Sequence, residues 1–356
     1  MYFKTVDHVR FASDGIYVTP EKKEKGWDVI IDSEILADGA FSAVITHILL
    51  DAEGHEVARV QGNADQEGIL TMTIHDVDAR VWDIEDPYLY TLVSELKAEN
   101  AVHTVSQRIG FRTVLMDTEK GFFLNGRPLK IKGTCNHQDH AGVGVAVPDS
   151  VQYYRIQRLK DMGTNAYRCS HNLPNKEILD ACDELGMIVM DENRRFESRD
   201  EVLEYLDIMV RRDRNHPCVI FWSLFNEEPL QNTEEGAKIY RRMRSVVEHL
   251  DDSRLITGAI NGSMEGTGLE MDVTGINYAI KKVAGMHELH PDQPVIGAEN
   301  NSAITTRGCY KSDRENAQVL ANYDEEVVPW GQSIRETWDF ARNHDYFAGI
   351  FIWTGF

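Results

Sequence analysis

Two glutamates stand where apolar runs stop abruptly. Glu227 follows the run in "IFWSLFNEEPL" (220–230), and Glu299 closes "PVIGAE". A strand that is apolar until it breaks into amide and carboxylate has left a packed interior for something polar. Two carboxylates facing each other across a cleft can cleave a glycosidic bond. One protonates the leaving oxygen, and the other stabilises or attacks the oxocarbenium carbon. A separation of about 5–5.5 Å would mean retention through a covalent intermediate. The chain holds 58 acidic residues, so many other pairs can be drawn, and the spacing leaves this chemistry open.

The elements that must carry these glutamates fall into two styles. Residues 1–113 contain short β-rich runs, "DVIIDSEIL", "AVITHILLD", "ILTMTIHDV" and "LYTLVSELKA", separated by turn signals. This pattern predicts an antiparallel β-sandwich with no catalytic cluster. Residues 114–356 open on the Asn-Gly hairpin of "FFLNGRPLKI". Short apolar strands then alternate with amphipathic helices. Strands are expected at "LKIKGT", "NAYRCS", "MIVMDE", "CVIFWSLF", "LITGAI", "VTGINY", "PVIGAE" and "GIFIWT". Helices are expected at "DSVQYYRIQRLKDMG", "NKEILDACDELG", "SRDEVLEYLDIMVRRDR", "EEGAKIYRRMRSVVEHL" and "SIRETWDFARNH", with a Gly-rich, helix-poor fifth connection. Eight strands in this alternation predict a (β/α)8 TIM barrel ending at strand 8. No GxGxxG follows a strand, which removes the usual reason to prefer a doubly wound sheet.

A barrel places its chemistry at the C-terminal strand ends. Seven of these ends carry polar or aromatic groups: Asn136, His137, Asp139 and His140; Arg168, Ser170 and His171; Asp191, Glu192 and Asn193; Asn226 and Glu227; Asn277 and Tyr278; Glu299 and Asn300; and Trp353. Convergence of so many polar groups on one mouth is costly unless they bind a ligand.

The bulk properties suit that picture. The 356 residues allow one large barrel plus one small domain, and 42% hydrophobic content is ordinary for a folded chain. The net charge of −21 opposes nucleic-acid or anionic-lipid binding and suits a neutral substrate. No apolar run reaches membrane-spanning length. The start "MYFKTVDHVRF" lacks the regions of a signal peptide. Five cysteines without a CxxC pair argue against a disulfide framework or zinc site. The compartment stays open, with a lean towards a reducing, cytoplasmic one.

The residues carry a family resemblance. "RDRNHPCVIFWSLFNEEP" resembles the acid/base segment of glycoside hydrolase family 2, which includes β-galactosidases, β-glucuronidases and β-mannosidases. "FFLNGRPLKIKGTCNHQDH", "NAYRCSHNLPNKEILDACDELGMIVMDE", "PVIGAENNSAITTRG" and "GIFIWTGF" are similar to its other blocks, in order, and "VWDIEDPYLYTLVSEL" with "QRIGFRTV" is similar to the end of its immunoglobulin-like domain. The resemblance implies Glu227 as acid/base, protonated at the start of the cycle, and Glu299 as nucleophile. It implies that Asn226 binds the sugar 2-hydroxyl and that Tyr278 donates to Glu299. His137, Asp139 and His171 would bind sugar hydroxyls, Trp353 would stack on the sugar, and Arg168 would hold Glu299 ionised, with Asn277 supporting. No cofactor is implied. "DENRRFESRD" lacks the His of the metal-dependent β-galactosidases, so a magnesium or sodium site has no support.

Other residues have plainer readings. Glu228 neighbours the acid, but the family places the acid directly after Asn. His216 is expected to close a helix, His140 to be a loop residue, Asp191 and Glu192 to be architectural, and Trp222 to be core. Cys169 cannot form a triad with Ser170 and His171, because neighbours on one strand point to opposite sides. The family's leading jelly-roll domain and the part after strand 8 are missing from the sequence, so it resembles a piece truncated at both ends. An uncovered flank would then need a homo-oligomeric partner or missing flanking domains. The expected function is a retaining exo-β-glycosidase acting on β-galactosides. The alternatives are a β-glucuronidase or β-mannosidase, and a catalytically inert sugar-binding fragment.

Overall fold

The computed structural model describes residues 5–302, 304–316, 319–321 and 324–356. The chain divides into two compact units, Met1–Thr113 with Val210–Pro217, and Val114–Met209 with Cys218–Phe356.

The first unit is an antiparallel β-sandwich. Its strands are β1 (Val9–Lys22), β2 (Trp27–Ala37), β3 (Ala43–Leu50), β4 (Glu56–Ala64), β5 (Gly68–Val77), β6 (Tyr90–Ala98) and β7 (Ala101–Ile109). They form sheets of order β1-β2-β5 and β4-β3-β6-β7. Burial alternates residue by residue along β2, β3 and β6, as the period-2 sequence pattern requires. Trp27 and Tyr90 both meet the Phe111 ring edge-on, at 5.4 and 5.0 Å. A polar trio sits among the apolar residues: His47 on β3 is fully buried between the equally buried Ser33 of β2 (3.1 Å) and Ser94 of β6 (2.8 Å). Burial pushes its imidazole down to about 4, so the ring stays neutral and exchanges hydrogen bonds with both hydroxyls.

The second unit opens on a three-stranded antiparallel sheet, β8 (Val114–Asp117), β9 (Gly121–Leu124) and β10 (Arg127–Pro128). Asn125 and Gly126 join β9 to β10 with φ of 52° and 74°. Two consecutive left-handed residues make the type I′ turn that the Asn-Gly pair predicts.

A closed barrel of eight parallel strands follows: β11 (Ile131–Asn136), β12 (Ala166–Cys169), β13 (Ile188–Glu192), β14 (Val219–Asn226), β15 (Leu255–Ile260), β16 (Thr274–Asn277), β17 (Val295–Asn301) and β18 (Phe347–Trp353). Their connections hold α1 (Asp149–Asp161), α2 (Lys176–Leu185), α3 (Asp200–Asp213), α4 (Glu234–Leu250), α5 (Ile280–Leu289) and α6 (Ile334–Asn343). The fifth connection has only a 3₁₀ turn, Gly266–Glu270, as its glycines suggest. α5 was not expected; only Ile280 and Val283 are buried along it, too few to show a helical stripe in the sequence. Phe221, Phe347 and Phe351 are fully buried among the barrel strands. A Cβ on Gly133 would lie 2.2 Å from the Phe351 ring, so glycine there is a packing requirement. Trp222 is core, as expected, with its Nε1 donating to Asp251 Oδ2 at 2.8 Å. Among the described residues, no helix is long and apolar enough to cross a membrane.

Candidate active site

The strand ends of the barrel carry unusual backbone. Glu227 after β14, Tyr278 after β16, and Asn301 and Ser302 at the end of β17 have φ of 51°, 55°, 87° and 51°. Non-glycine residues enter this region at a cost of about 1 kcal/mol or more each, and such residues gather at functional sites. The left-handed residues still extend the ladder. Glu227 N donates to Ala259 O at 2.8 Å, and Tyr278 N donates to Glu299 O at 2.7 Å.

Arg168 is the hub. It is completely buried at the end of β12. Its Nη1 donates to Glu299 Oε2 at 3.0 Å and to Ala298 O at 2.9 Å. Its Nε and Nη2 both donate to Glu192 Oε2, at 2.9 and 2.7 Å, and Nη2 also donates to Asn226 Oδ1 at 2.8 Å. A buried cation thus serves two buried carboxylates and one amide. Burial alone would push the Glu192 carboxyl up. The Arg168 charge and the bonds from His171 and Arg168 outweigh burial and hold it below the usual carboxylate range.

Glu299 is 5% exposed. Its other oxygen, Oε1, accepts from the Tyr278 hydroxyl at 2.5 Å, and Ser302 Oγ donates to that hydroxyl at 3.1 Å. Burial first, and then the Glu299 bond and charge, push the Tyr278 phenol well above its ordinary value, so it is a neutral donor. Cys135, beneath the site, has its thiol pushed up to about 12 by burial and is no nucleophile.

Glu227 is held differently. Asn277 Nδ2 donates to Glu227 Oε1 at 2.9 Å and to Asn226 Oδ1 at 3.0 Å. Asn261 Nδ2 donates to Glu227 Oε2 at 2.9 Å. Asn226 Oδ1 accepts from both Arg168 and Asn277, which leaves its Nδ2 as the end available to a ligand.

The aromatic side of the mouth comes from β11, β12 and β18. His171 Nδ1 bonds Glu192 Oε1 at 2.7 Å, and its Nε2 lies 3.7 Å from Glu299 Oε2. The His171 ring stacks on Trp353 at 5.4 Å and 16°, and His137 meets Trp353 edge-on at 5.0 Å. Arg155 on α1 fixes the backbone here, donating to His137 O at 2.6 Å.

The structure therefore joins Glu227, Glu299, Asn226, Asn277, Tyr278, Arg168 and His171 in one hydrogen-bonded network, with His137 and Trp353 in ring contact. Asp139 is exposed on the loop after β11 and has no bond to the network among the described residues. Glu192, expected to be architectural, accepts from Arg168 and bonds His171, so it orients both. His140 lies in a turn, bridged to Gly144, and His216 N closes the end of α3 on Asp213 O at 3.0 Å. Asn261, Gln231 and Ser302 were missed. Asn261 directly follows the apolar run "LITGAI", the same signal that marked the other strand ends. No trio of metal-ligating side chains among the described residues includes a residue of the mouth.

A closed (β/α)8 barrel preceded by a β-sandwich, with two glutamates held at strand ends 4 and 7, defines the class. Comparison with known proteins gives the family. The family model described as "Glycosyl hydrolases family 2, TIM barrel domain" matches residues 116–199 and 194–354, and "Glycosyl hydrolases family 2" matches 9–112. A β-galactosidase of Bacteroides ovatus is 32% identical over 96% of this chain and 48% of its own length. A dog β-glucuronidase is 31% identical over 66% of this chain and 38% of its own. The solved structure of a glycosyl hydrolase family 2 member from Bacteroides cellulosilyticus superposes with a TM-score of 0.85 at 27% identity, covering 98% of this chain and 44% of that one. The chain belongs to glycosyl hydrolases family 2, and it spans about half the length of the first of these relatives.

Proposed function

We propose that the protein is a retaining exo-β-glycosidase acting on β-galactosides, with Glu299 as nucleophile and Glu227 as acid/base. The observation that carries this reading is the contrast between the two glutamates. Glu299 is buried and accepts from a guanidinium and a phenol, which aim its oxygens into the mouth as a nucleophile's must be. Glu227 accepts from two neutral amides in a half-buried position that a leaving oxygen and water can reach.

In the first step Glu299 attacks C1 of the sugar while the C1–O bond to the aglycone breaks. The Glu227 proton passes to the departing oxygen, and an ester forms on Glu299. Ester formation removes the Glu299 charge and leaves Arg168 and Glu192 as a balanced buried pair, so Arg168 is never without a counter-ion. In the second step Glu227 takes a proton from water, the water oxygen bonds C1, and Glu299 leaves as carboxylate. Asn226 Nδ2 donates to the sugar 2-hydroxyl. His137, His171 and Asp139 receive other hydroxyls, and the exposed part of Trp353 meets the ring's apolar face. The galactoside preference follows the B. ovatus β-galactosidase, which aligns over nearly the whole chain.

The test is a panel of nitrophenyl β-glycosides differing at C2, C4 or C6, with the product anomer read by NMR. Turnover of the galactoside with net retention is expected. Inversion would overturn the mechanism, and turnover of only the glucuronide or mannoside would overturn the sugar assignment.

A further inference from the structure

Glu227 is gripped from two sides, and only one grip comes from a residue with an expected role. Oε1 accepts from Asn277, whereas Oε2 accepts from Asn261, which directly follows β15. Asn261 is exposed, and an exposed amide ordinarily samples several orientations. This one is fixed from behind. Gln231, buried in the loop that follows Glu227, donates from Nε2 to Asn261 Oδ1 at 2.5 Å. With its oxygen occupied, Asn261 can present only Nδ2 to Glu227. Gln231 is itself anchored through its backbone: its N–H donates to Glu228 O at 3.0 Å, and its carbonyl accepts from Thr267 N at 2.9 Å. The three side chains form a directed chain, Gln231 to Asn261 to Glu227, running from the loop after β14 into the mouth.

We infer that Asn261 is a positioning residue for the acid/base Glu227 and that Gln231 acts through it by fixing the orientation of its amide. The inference rests on the reading of Glu227 as acid/base. The left-handed backbone at Glu227 makes such a grip necessary, because strained backbone persists only where its surroundings over-determine it. The N–H donated to Oε2 limits rotation of the carboxyl that must meet first the departing oxygen and then the water. The other ionisable groups around Glu227 are Tyr278 after β16, which feels its charge, and Glu299 on β17 behind Tyr278. Arg168 on β12 reaches it only through Asn226, and Glu228 follows it on its own loop.

The test compares Asn261→Ala, Gln231→Leu and the double variant with the parent, using kcat/KM on aryl galactosides with good and poor leaving groups. For Asn261→Ala, activity on a poor leaving group should fall about 10- to 100-fold, with a dinitrophenyl substrate much less affected, as expected when proton transfer is impaired. Gln231→Leu should act in the same direction by less, and the double variant should be no worse than Asn261→Ala alone. An unchanged ratio between substrates in Asn261→Ala would overturn the inference, and additive losses would overturn the role of Gln231. Failure of the underlying reading looks different: Glu227→Ala would then show no leaving-group-dependent loss.

Discussion

Tyr278 binds Glu299 twice, through its backbone N–H to the carbonyl at 2.7 Å and through its hydroxyl to Oε1 at 2.5 Å. The backbone bond continues the β16–β17 ladder, so the phenol is aimed by the same strand pairing that holds the carboxylate. Tyr278→Phe removes the side-chain bond and leaves the ladder intact. The expected result is a loss of about 10²- to 10³-fold in kcat, the usual cost of one preorganised donor. The circular dichroism spectrum should not change, because the half-buried ring still packs.

Arg168 predicts a stability effect. Arg168→Met strands Glu192 and Glu299, both buried, without their cation. Breaking a buried pair from one side costs about 3–5 kcal/mol, which urea denaturation would read directly. Arg168→Lys should recover only part of this. One ammonium cannot reproduce the fork that reaches Glu192, Glu299 and Asn226 together.

The sandwich carries its own pH dependence. The His47 imidazole lies at about 4 in the folded protein against 6.5 when unconstrained. A lowered histidine means that the unfolded chain binds the proton more readily. Stability from this group is whole above about pH 6.5 and is lost as the pH falls towards about 4, up to about 3 kcal/mol. Urea midpoints measured between pH 7 and 4.5 should fall, and His47→Asn should flatten that slope.

The Asn-Gly turn offers a local test. A side chain at 126 meets open space but must adopt φ of 74°. Gly126→Ala should therefore cost about 1 kcal/mol through backbone strain alone, with no change in sugar preference.

The barrel was legible because its strands are continuous apolar runs ending in polar residues, a pattern that only both-face burial followed by a ligand-facing end produces. The sandwich was less so. The missed strands β1, β4 and β7 are all edge strands, and β4 and β7 turn mostly polar or exposed residues outward, so they read as turn. At the site, the place of these residues at strand ends brought the glutamates and their hydrogen-bond partners to one mouth, and the family resemblance supplied the roles proposed for them. The supports were harder to see. Glu192 looked merely structural because its work depends on meeting Arg168 and His171 in space. Gln231 sits in a loop with no periodicity, and only the fold brings it to Asn261.

The most direct test of the central claim is labelling with 2-deoxy-2-fluoro-β-galactosyl fluoride, followed by peptide mass spectrometry. One covalent adduct is expected, on Glu299. An adduct on any other residue would contradict it, as would no adduct from the galactosyl, glucuronyl or mannosyl reagents on a barrel shown to be folded.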